Sequence, residues 1–365
     1  MDKNGQIAAL LRDFAAVQKS QQSMWGYKRA ASAVLALEQP IDTLLKPDGT
    51  LEKIKNIGPS STRIILEVLQ TGSSPTIERA IAESTPAKAD DVERRRGLRN
   101  NFLSRSQVLA ALRNKKLKGP SVKDYHGDLQ MHSTWSDGSQ TLEEIVETGI
   151  GLGYAFCAVT DHSYGLKIAG GVSMAELAEQ HTEIDALNRK YGAKFRLLKG
   201  IEANIRADGS VDMAPHELAM LEIVVAAPHS VLRSTADQTG RMVAAVSQPG
   251  VHILGHPRGR MFGSRPGVAA NWDRVFEAAA HSRVAIEIDG DPSRQDLDYD
   301  IAVRAVNAGC LFALDSDAHS TRELRPYEET AIAHARLAGV PVDRIVNCWT
   351  LERLLAWAST RATAR

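Results

Sequence analysis

Cysteine is nearly absent from this chain: three in 365 residues, at positions 157, 310 and 348. They lie far apart and form no pair at metal-ligand spacing, so neither a disulfide framework nor a thiolate zinc site is expected. Cys157 and Cys310 sit in apolar runs, the setting of buried free thiols in a reducing compartment. No apolar stretch approaches the roughly 20 residues that a membrane span needs. The opening Met1-Asp2-Lys3-Asn4-Gly5-Gln6 lacks the apolar core of a signal peptide. A cytoplasmic protein with no membrane partner is expected. An excess of one charge is missing as well, since 44 Lys and Arg balance 44 Asp and Glu.

That balance hides a split. Residues 1–124 hold 21 Lys and Arg against 13 Asp and Glu, whereas residues 125–365 hold 23 against 31 and contain all 11 histidines. A basic first part suits a polyanion; an acidic, histidine-rich second part suits cations. In that second part, short apolar runs end repeatedly in metal-ligand residue types. These are Leu129-Gln130-Met131-His132, Ser136-Asp137-Gly138, Thr160-Asp161-His162, Gly200-Ile201-Glu202, Ala227-Pro228-His229, Gly255-His256-Pro257 and Asp315-Ser316-Asp317-Ala318-His319. Imidazole with carboxylate suits zinc, manganese or iron. The ends of parallel strands are where an α/β barrel places its active site.

Strand candidates at 127–131, 155–160, 196–201, 222–227, 251–254, 284–288 and 310–314 alternate with helical patterns at 141–151, 173–191, 272–280, 301–307 and 322–338. Seven βα units predict a closed parallel barrel, with an eight-unit barrel as the alternative. Residues 5–72 read as helices. Within them, 51–69 carries an apolar helix, a turn at Asn56-Ile57-Gly58, and a second helix opened by Pro59. This resembles a helix-hairpin-helix motif, with Asn56 where glycine is usual, and such a hairpin offers backbone amides to a phosphate without reading sequence. Residues 73–124, with Arg94-Arg95-Arg96 and Lys115-Lys116-Leu117-Lys118, read as a partly ordered basic linker with one or two short helices.

Residues 128–320 resemble the PHP (polymerase and histidinol phosphatase) family, above all the PHP domain of bacterial family X DNA polymerases. The likeness rests on Gly127-Asp128-Leu129-Gln130-Met131-His132 through Gly138, Thr160-Asp161-His162-Ser163, 208–212, 256–260 and 316–319. Residues 5–72, with Tyr27-Lys28-Arg29-Ala30-Ala31, are similar to that family's N-terminal helical domain. The resemblance implies an α/β fold: a distorted, TIM-like (βα)7 PHP barrel over 125–365, preceded by a small all-α DNA-binding domain over 1–72. Residues 73–124 leave no room for a polymerase palm.

It further implies two or three divalent ions (Zn, Mn or Fe) in three adjacent sites. One would use His132, Glu202 and Asp317, with Gln130 where most members have histidine. A second would use Asp137, His162 and His319; a third His229 and His256, bridged by Glu202. Arg258 and Arg260 are expected to face substrate phosphate, and Asp161 to orient a ligand. Trp135, Tyr164, Lys167 and Arg294 form the expected rim, the first two by stacking or by packing. Glu287 and Arg294 are candidates for an ion pair. Lys28, Arg29, Lys55, Gly58 and Arg63 are the expected DNA contacts. The expected activity is phosphoester hydrolysis in DNA, by 3′-to-5′ exonucleolysis or 3′-end processing. The alternatives are a histidinol-phosphatase-type enzyme and a non-catalytic DNA-binding accessory protein.

Overall fold

In the computed structural model, which describes residues 1–362, the chain divides into two compact units. The first comprises Met1–Arg113 together with Phe262–Arg265, and the second the remainder.

The first unit is helical: α1 (Lys3–Val17), α2 (Gln21–Leu35), α3 (Pro59–Thr71), α4 (Pro75–Ala82), α5 (Pro86–Gly97) and α6 (Arg105–Arg113). Asp2, Ser20 and Ser74 accept amide hydrogen bonds in the first turns of α1, α2 and α4, and Pro opens α3, α4 and α5. Ile7 and Leu11 of α1, Tyr27 and Val34 of α2, Ile64 and Ile65 of α3 and Ile77 of α4 share one core. Asn56 adopts φ +66° before α3, a left-handed backbone that asparagine tolerates where glycine is usual. The stretch expected to be a partly ordered linker is more ordered than that, since α4, α5 and α6 occupy most of it.

The second unit is built on a parallel sheet in strand order β1 to β6: β1 (Phe156–Val159), β2 (Arg196–Asn204), β3 (Ile223–Ala227), β4 (Ile253–Leu254), β5 (Ala285–Asp289) and β6 (Leu311–Asp315). The strands are almost wholly buried, as expected of a sheet covered on both faces. Helices α7 (Leu142–Leu152), α8 (Met174–Tyr191), α9 (Pro215–Leu218), α10 (Thr239–Ser247), α11 (Trp272–Ser282), α12 (Tyr299–Asn307) and α13 (Leu324–Ala338) connect or follow them, and α14 (Leu351–Ala362) ends the described chain. Phe156, Leu198, Ile223, Ile253, Ala285 and Ala313 pack with Trp349, Leu354 and Trp357, so the barrel interior away from the strand C-termini is apolar and filled.

The seventh expected strand, 127–131, is not a regular strand, yet it joins the two sheet edges. Toward β1, Ala158 N–H donates to Asp128 O (2.9 Å) and Thr160 N–H to Met131 O (2.9 Å). Toward β6, Asp317 N–H donates to Gln130 O (3.0 Å) and His132 N–H to Ala318 O (2.9 Å). The segment's own amides go to side chains instead: Leu129 N–H to Asp315 Oδ1, Gln130 N–H to Asp128 Oδ1 and Met131 N–H to Thr160 Oγ1. Side-chain oxygens thus stand where a ladder would supply carbonyls, which breaks the strand while keeping its amides satisfied. Asn347 completes the closure, donating to Gly127 O (3.0 Å) and Asp315 Oδ1 (2.7 Å) and accepting from Leu314 N–H (2.7 Å).

Asn347→Ala removes all three of these buried hydrogen bonds, leaving Asp315 Oδ1 only the Leu129 N–H, and is expected to cost about 3 kcal/mol. Denaturant unfolding followed by tryptophan fluorescence measures it, and a loss under about 0.5 kcal/mol rules out this role in closure.

Candidate metal centre

The ligand-type residues converge because each follows the C-terminal end of a strand or of the closing segment. His132 follows the closing segment and His162 follows β1; Glu202 lies near the end of β2. His229 follows β3, His256 follows β4, and Asp317 and His319 follow β6. Glu202 is at the middle. Its Oε1 lies 2.9 Å from His256 Nε2 and 3.2 Å from His229 Nε2, and its Oε2 lies 3.0 Å from His162 Nδ1 and 3.4 Å from His132 Nε2. Asp137 Oδ1 sits 3.5 Å from His162 Nε2 and 3.4 Å from His319 Nε2. Asp317 Oδ1 is 2.9 Å from His132 Nε2, and its Oδ2 takes Arg294 Nη1 at 2.7 Å.

Three overlapping clusters are close enough to hold cations: His132, Asp137, His162 and His319; His162, Glu202 and His229; and His132, Glu202 and Asp317. The third matches the first expected site apart from Gln130. The first adds His132 to the second expected site. The cluster around His229 contains His162 where His256 was expected, although His256 touches Glu202. The donor set fits several divalent ions: imidazole and carboxylate only, with His132 Nδ1, Glu202 Oε2 and both Gln130 amide atoms buried without a hydrogen-bond partner. His256 and Asp317 adopt φ +23° and +51°, backbone strain of the kind that concentrates at functional sites.

Electrostatics point the same way. Burial pushes the Glu202 carboxyl up, but His162 and His229 hold it well below the usual carboxylate range. Burial lowers the His162 imidazole, yet Glu202 and Asp137 raise it to about 10; His319, lowered by burial, is raised by Asp137 and Asp317 to about 9. Asp137, pushed up by burial, is held down by His162 and His319. Around these, the carboxyls of Glu287, Asp289 and Asp315 are fully buried and pushed well up by burial and by one another or by Asp128 or Asp317. So many carboxyls in a dry interior favour cations.

The surrounding loops correct several expectations. Arg258 and Arg260 are not poised for substrate. Arg258 donates to Asp298 (2.9 Å), while Arg260 is buried, its guanidinium spent on Asp298 and on the carbonyls of Arg294 and Gln295. Their place right after His256 gave no hint of which way they point. Glu287 does not pair with Arg294; its carboxylate accepts the His256 N–H. Asp161, buried, accepts from Ser133 N–H, Ser133 Oγ and Gln180 Nε2, bracing the loop that carries Asp137. Gly138 is required there, since a Cβ would lie 2.4 Å from His132 O. Trp135 donates its indole N–H to Glu183 and Tyr164 its hydroxyl to Glu217, so both expected stacking residues are held at their polar ends. Lys167 is exposed on a short 3₁₀ turn. Asn204, which no motif marked, lies 3.3 Å from His229 Nδ1. In the helical unit, Arg29, Lys55, Gly58 and Arg63 are exposed and Lys28 half-buried.

Comparison with known proteins matches residues 2–74 to a helix-hairpin-helix domain. A DNA polymerase/3′-5′ exonuclease, PolX, of Bacillus subtilis is 35% identical over 232 residues, 63% of this chain and 40% of that protein. The chain therefore spans less than half the length of that relative. A probable phosphatase, YcdX, of Escherichia coli is 28% identical over 255 residues, 66% of this chain and 96% of that protein. By these matches the second unit is similar to PHP-type phosphoesterases. A solved histidinol phosphate phosphatase from Lactococcus lactis, complexed with zinc, L-histidinol and phosphate, superposes with a TM-score of 0.43 at 17% identity, covering 57% of this chain and 91% of that one. Among the described residues, no helix of either unit is long and apolar enough to cross a membrane.

Ions binding this centre must displace the protons that His162 and His319, raised to about 10 and about 9, hold in their absence. Adding manganese or zinc to metal-free protein at pH 8 should release protons into weak buffer, and metal affinity should climb with pH across this range. Uptake without proton release would show that these imidazoles do not meet the ions.

Proposed function

We propose that this protein hydrolyses phosphoester bonds at the 3′ ends of DNA, as an exonuclease or an end-processing enzyme. One observation carries the reading: a helix-hairpin-helix domain and a PHP-type centre occur in the same chain. The PHP domain accounts for the hydrolysis, and the basic helical unit supplies a reason for the substrate to be a nucleic acid.

Divalent ions held by His132, Asp137, His162, Glu202, His229, His256, Asp317 and His319 would supply Lewis-acid activation of water and neutralise phosphate charge. Glu202 sets the spacing of the imidazoles, and Asp161 keeps Asp137 turned toward them. The Asp137 and His319 side chains are each 35% exposed, whereas His132 and Glu202 are closed off, so a phosphoester reaches the centre from the Asp137 and His319 side. Arg294, bound to Asp317 and one-fifth exposed, brings a guanidinium to that edge to meet phosphate oxygens. A buried Gln130 amide would make a weaker donor than imidazole, which favours loose binding at its site.

A second reading, hydrolysis of a small phosphomonoester, has support of its own in the Escherichia coli probable phosphatase, which the match covers almost end to end. Manganese-loaded protein offered 3′-labelled single- and double-stranded DNA beside a small phosphomonoester separates the two. The expected outcome is stepwise shortening from the 3′ end, lowered at least about 10- to 100-fold by His162→Ala, the loss typical of removing even an outer partner of a metal. Intact DNA with rapid monoester turnover would favour the phosphatase.

A further inference from the structure

We infer that Arg322 and Ile168, on two loops that border the open side of the centre, hold the nucleotide next to the reacting phosphate. Arg322 takes its phosphate and Ile168 covers the face of its base. The inference rests on the DNA-directed reading above and adds to it the residues that make the centre prefer a nucleotide chain to a small phosphomonoester.

The exposed Asp137 carboxylate lies between His162 and His319, and its loop, 136–139, touches both of the loops that follow these histidines. Ser139 donates its N–H (2.8 Å) and its hydroxyl (2.9 Å) to His319 O. Gly170, on the loop that follows His162, packs against the same segment, since a Cβ there would lie 3.4 Å from Ser136 O.

Both loops are held in shape. After His319, the Glu323 carboxylate accepts from the His319 and Ser320 N–H groups (2.8 and 2.9 Å), and Glu323 N–H donates to Ser320 O (3.0 Å). That closes a tight turn, and Arg322 stands on it. After His162, the chain returns where Val172 N–H donates to His162 O (2.8 Å). Leu166 N–H donates to Ser163 O (2.9 Å) and Gly171 N–H to Leu166 O (3.2 Å). Gly165 and Gly171 are required, because a Cβ would lie 1.8 Å from Asp212 Oδ2 and 2.0 Å from Ser163 O. The 3₁₀ turn Lys167–Ala169 is carried on this braced loop.

The fold does not use what the two loops present. Arg322 is exposed and, among the described residues, its guanidinium has no hydrogen-bond or ion partner. Arg258 and Arg260, by contrast, are spent on Asp298. Ile168 is 96% exposed, whereas no other large apolar side chain among the described residues exceeds 59%. An aliphatic group in open water contributes nothing to folding, but a ligand that covers it gains its transfer free energy. Lys167 beside it is exposed as well. A small phosphomonoester has one phosphate, which the ions would take, and leaves nothing for Arg322. A nucleotide chain brings a second phosphate for the guanidinium and a flat base for the isoleucine.

The test follows a labelled phosphorothioate trinucleotide by fluorescence anisotropy as it binds the intact, manganese-loaded chain. Arg322→Ala should weaken binding about tenfold and lower the slope of log affinity on log salt by about one. Ile168→Ala should also weaken it about tenfold, with the salt slope unchanged. Ile168→Val should recover most of that loss, and Arg322→Lys should keep the salt slope. Excess inorganic phosphate should displace the trinucleotide, because both need the ions. Unchanged affinity in either alanine variant, or a bound trinucleotide that phosphate leaves in place, overturns the inference. A wild-type chain that binds no trinucleotide does the same. Shortening of 3′-labelled DNA, assayed alongside, separates this from the reading it rests on. Shortened DNA with unaltered trinucleotide binding in the variants removes only the border contacts. Intact DNA beside the expected binding losses removes only the hydrolysis.

Discussion

Glu202 lies buried near the end of β2 with four imidazoles within 3.4 Å of its two oxygens, from His132, His162, His229 and His256. Among the described residues no Lys or Arg is paired with it, so the imidazoles, or cations that replace their protons, must carry the compensating charge. The four histidines come from four different strand ends or closing segments. They reach one carboxylate only because the parallel strands converge, so the curvature of the sheet and the chemistry of the centre are a single requirement. The same dependence explains the positive φ angles at His256 and Asp317: the backbone bends to deliver side chains to a fixed point.

The closing segment obeys a related constraint. A seventh regular strand would have spent its amides on carbonyls and taken those amides from Asp128 and Asp315. Here those carboxylates take the amides of Gln130 and Leu129, which stitches the acidic end of the barrel to its seam. Burial leaves their second oxygens without partners, together with one oxygen each of Glu287 and Asp289. The barrel therefore grades from an apolar plug of Phe156, Ile223 and Trp357 at one end to an interior of carboxyls at the other. That gradient, more than any single residue, makes the strand C-termini the end for cations.

Much of this was legible in the sequence. Buried parallel strands are short apolar runs, and the residue that follows each run is the one that enters the site, so β1 to β6 and the eight imidazole and carboxylate positions could be read in order. The departures have physical causes. The closing segment was apolar enough to pass for a strand, because periodicity does not reveal side chains standing in for a ladder. Helix α5 buries only Val92 among the residues of its turns, so its charged sequence carried almost no periodic signal. Arg258 and Arg260 followed a histidine of the centre, but sequence adjacency says nothing about direction, and Asp298 forty residues on captured both. Asn204, at the end of β2 beside His229, and Glu183, on α8 beside Trp135, stand in no motif.

The seam has a consequence for how the protein is made. The contacts that close the barrel join Gly127 and Leu129 to Asp315 and Asn347, partners nearly two hundred residues or more apart. On a ribosome, β1 through β5 can be complete while the sheet still has two open edges, and the seam cannot form until Asn347 has left the exit tunnel. Until then the nascent barrel is an unsealed sheet, which after β5 holds His132, His162, His229 and His256 but still lacks Asp317 and His319. Assembly of the centre thus waits for the strand and loop that follow β5.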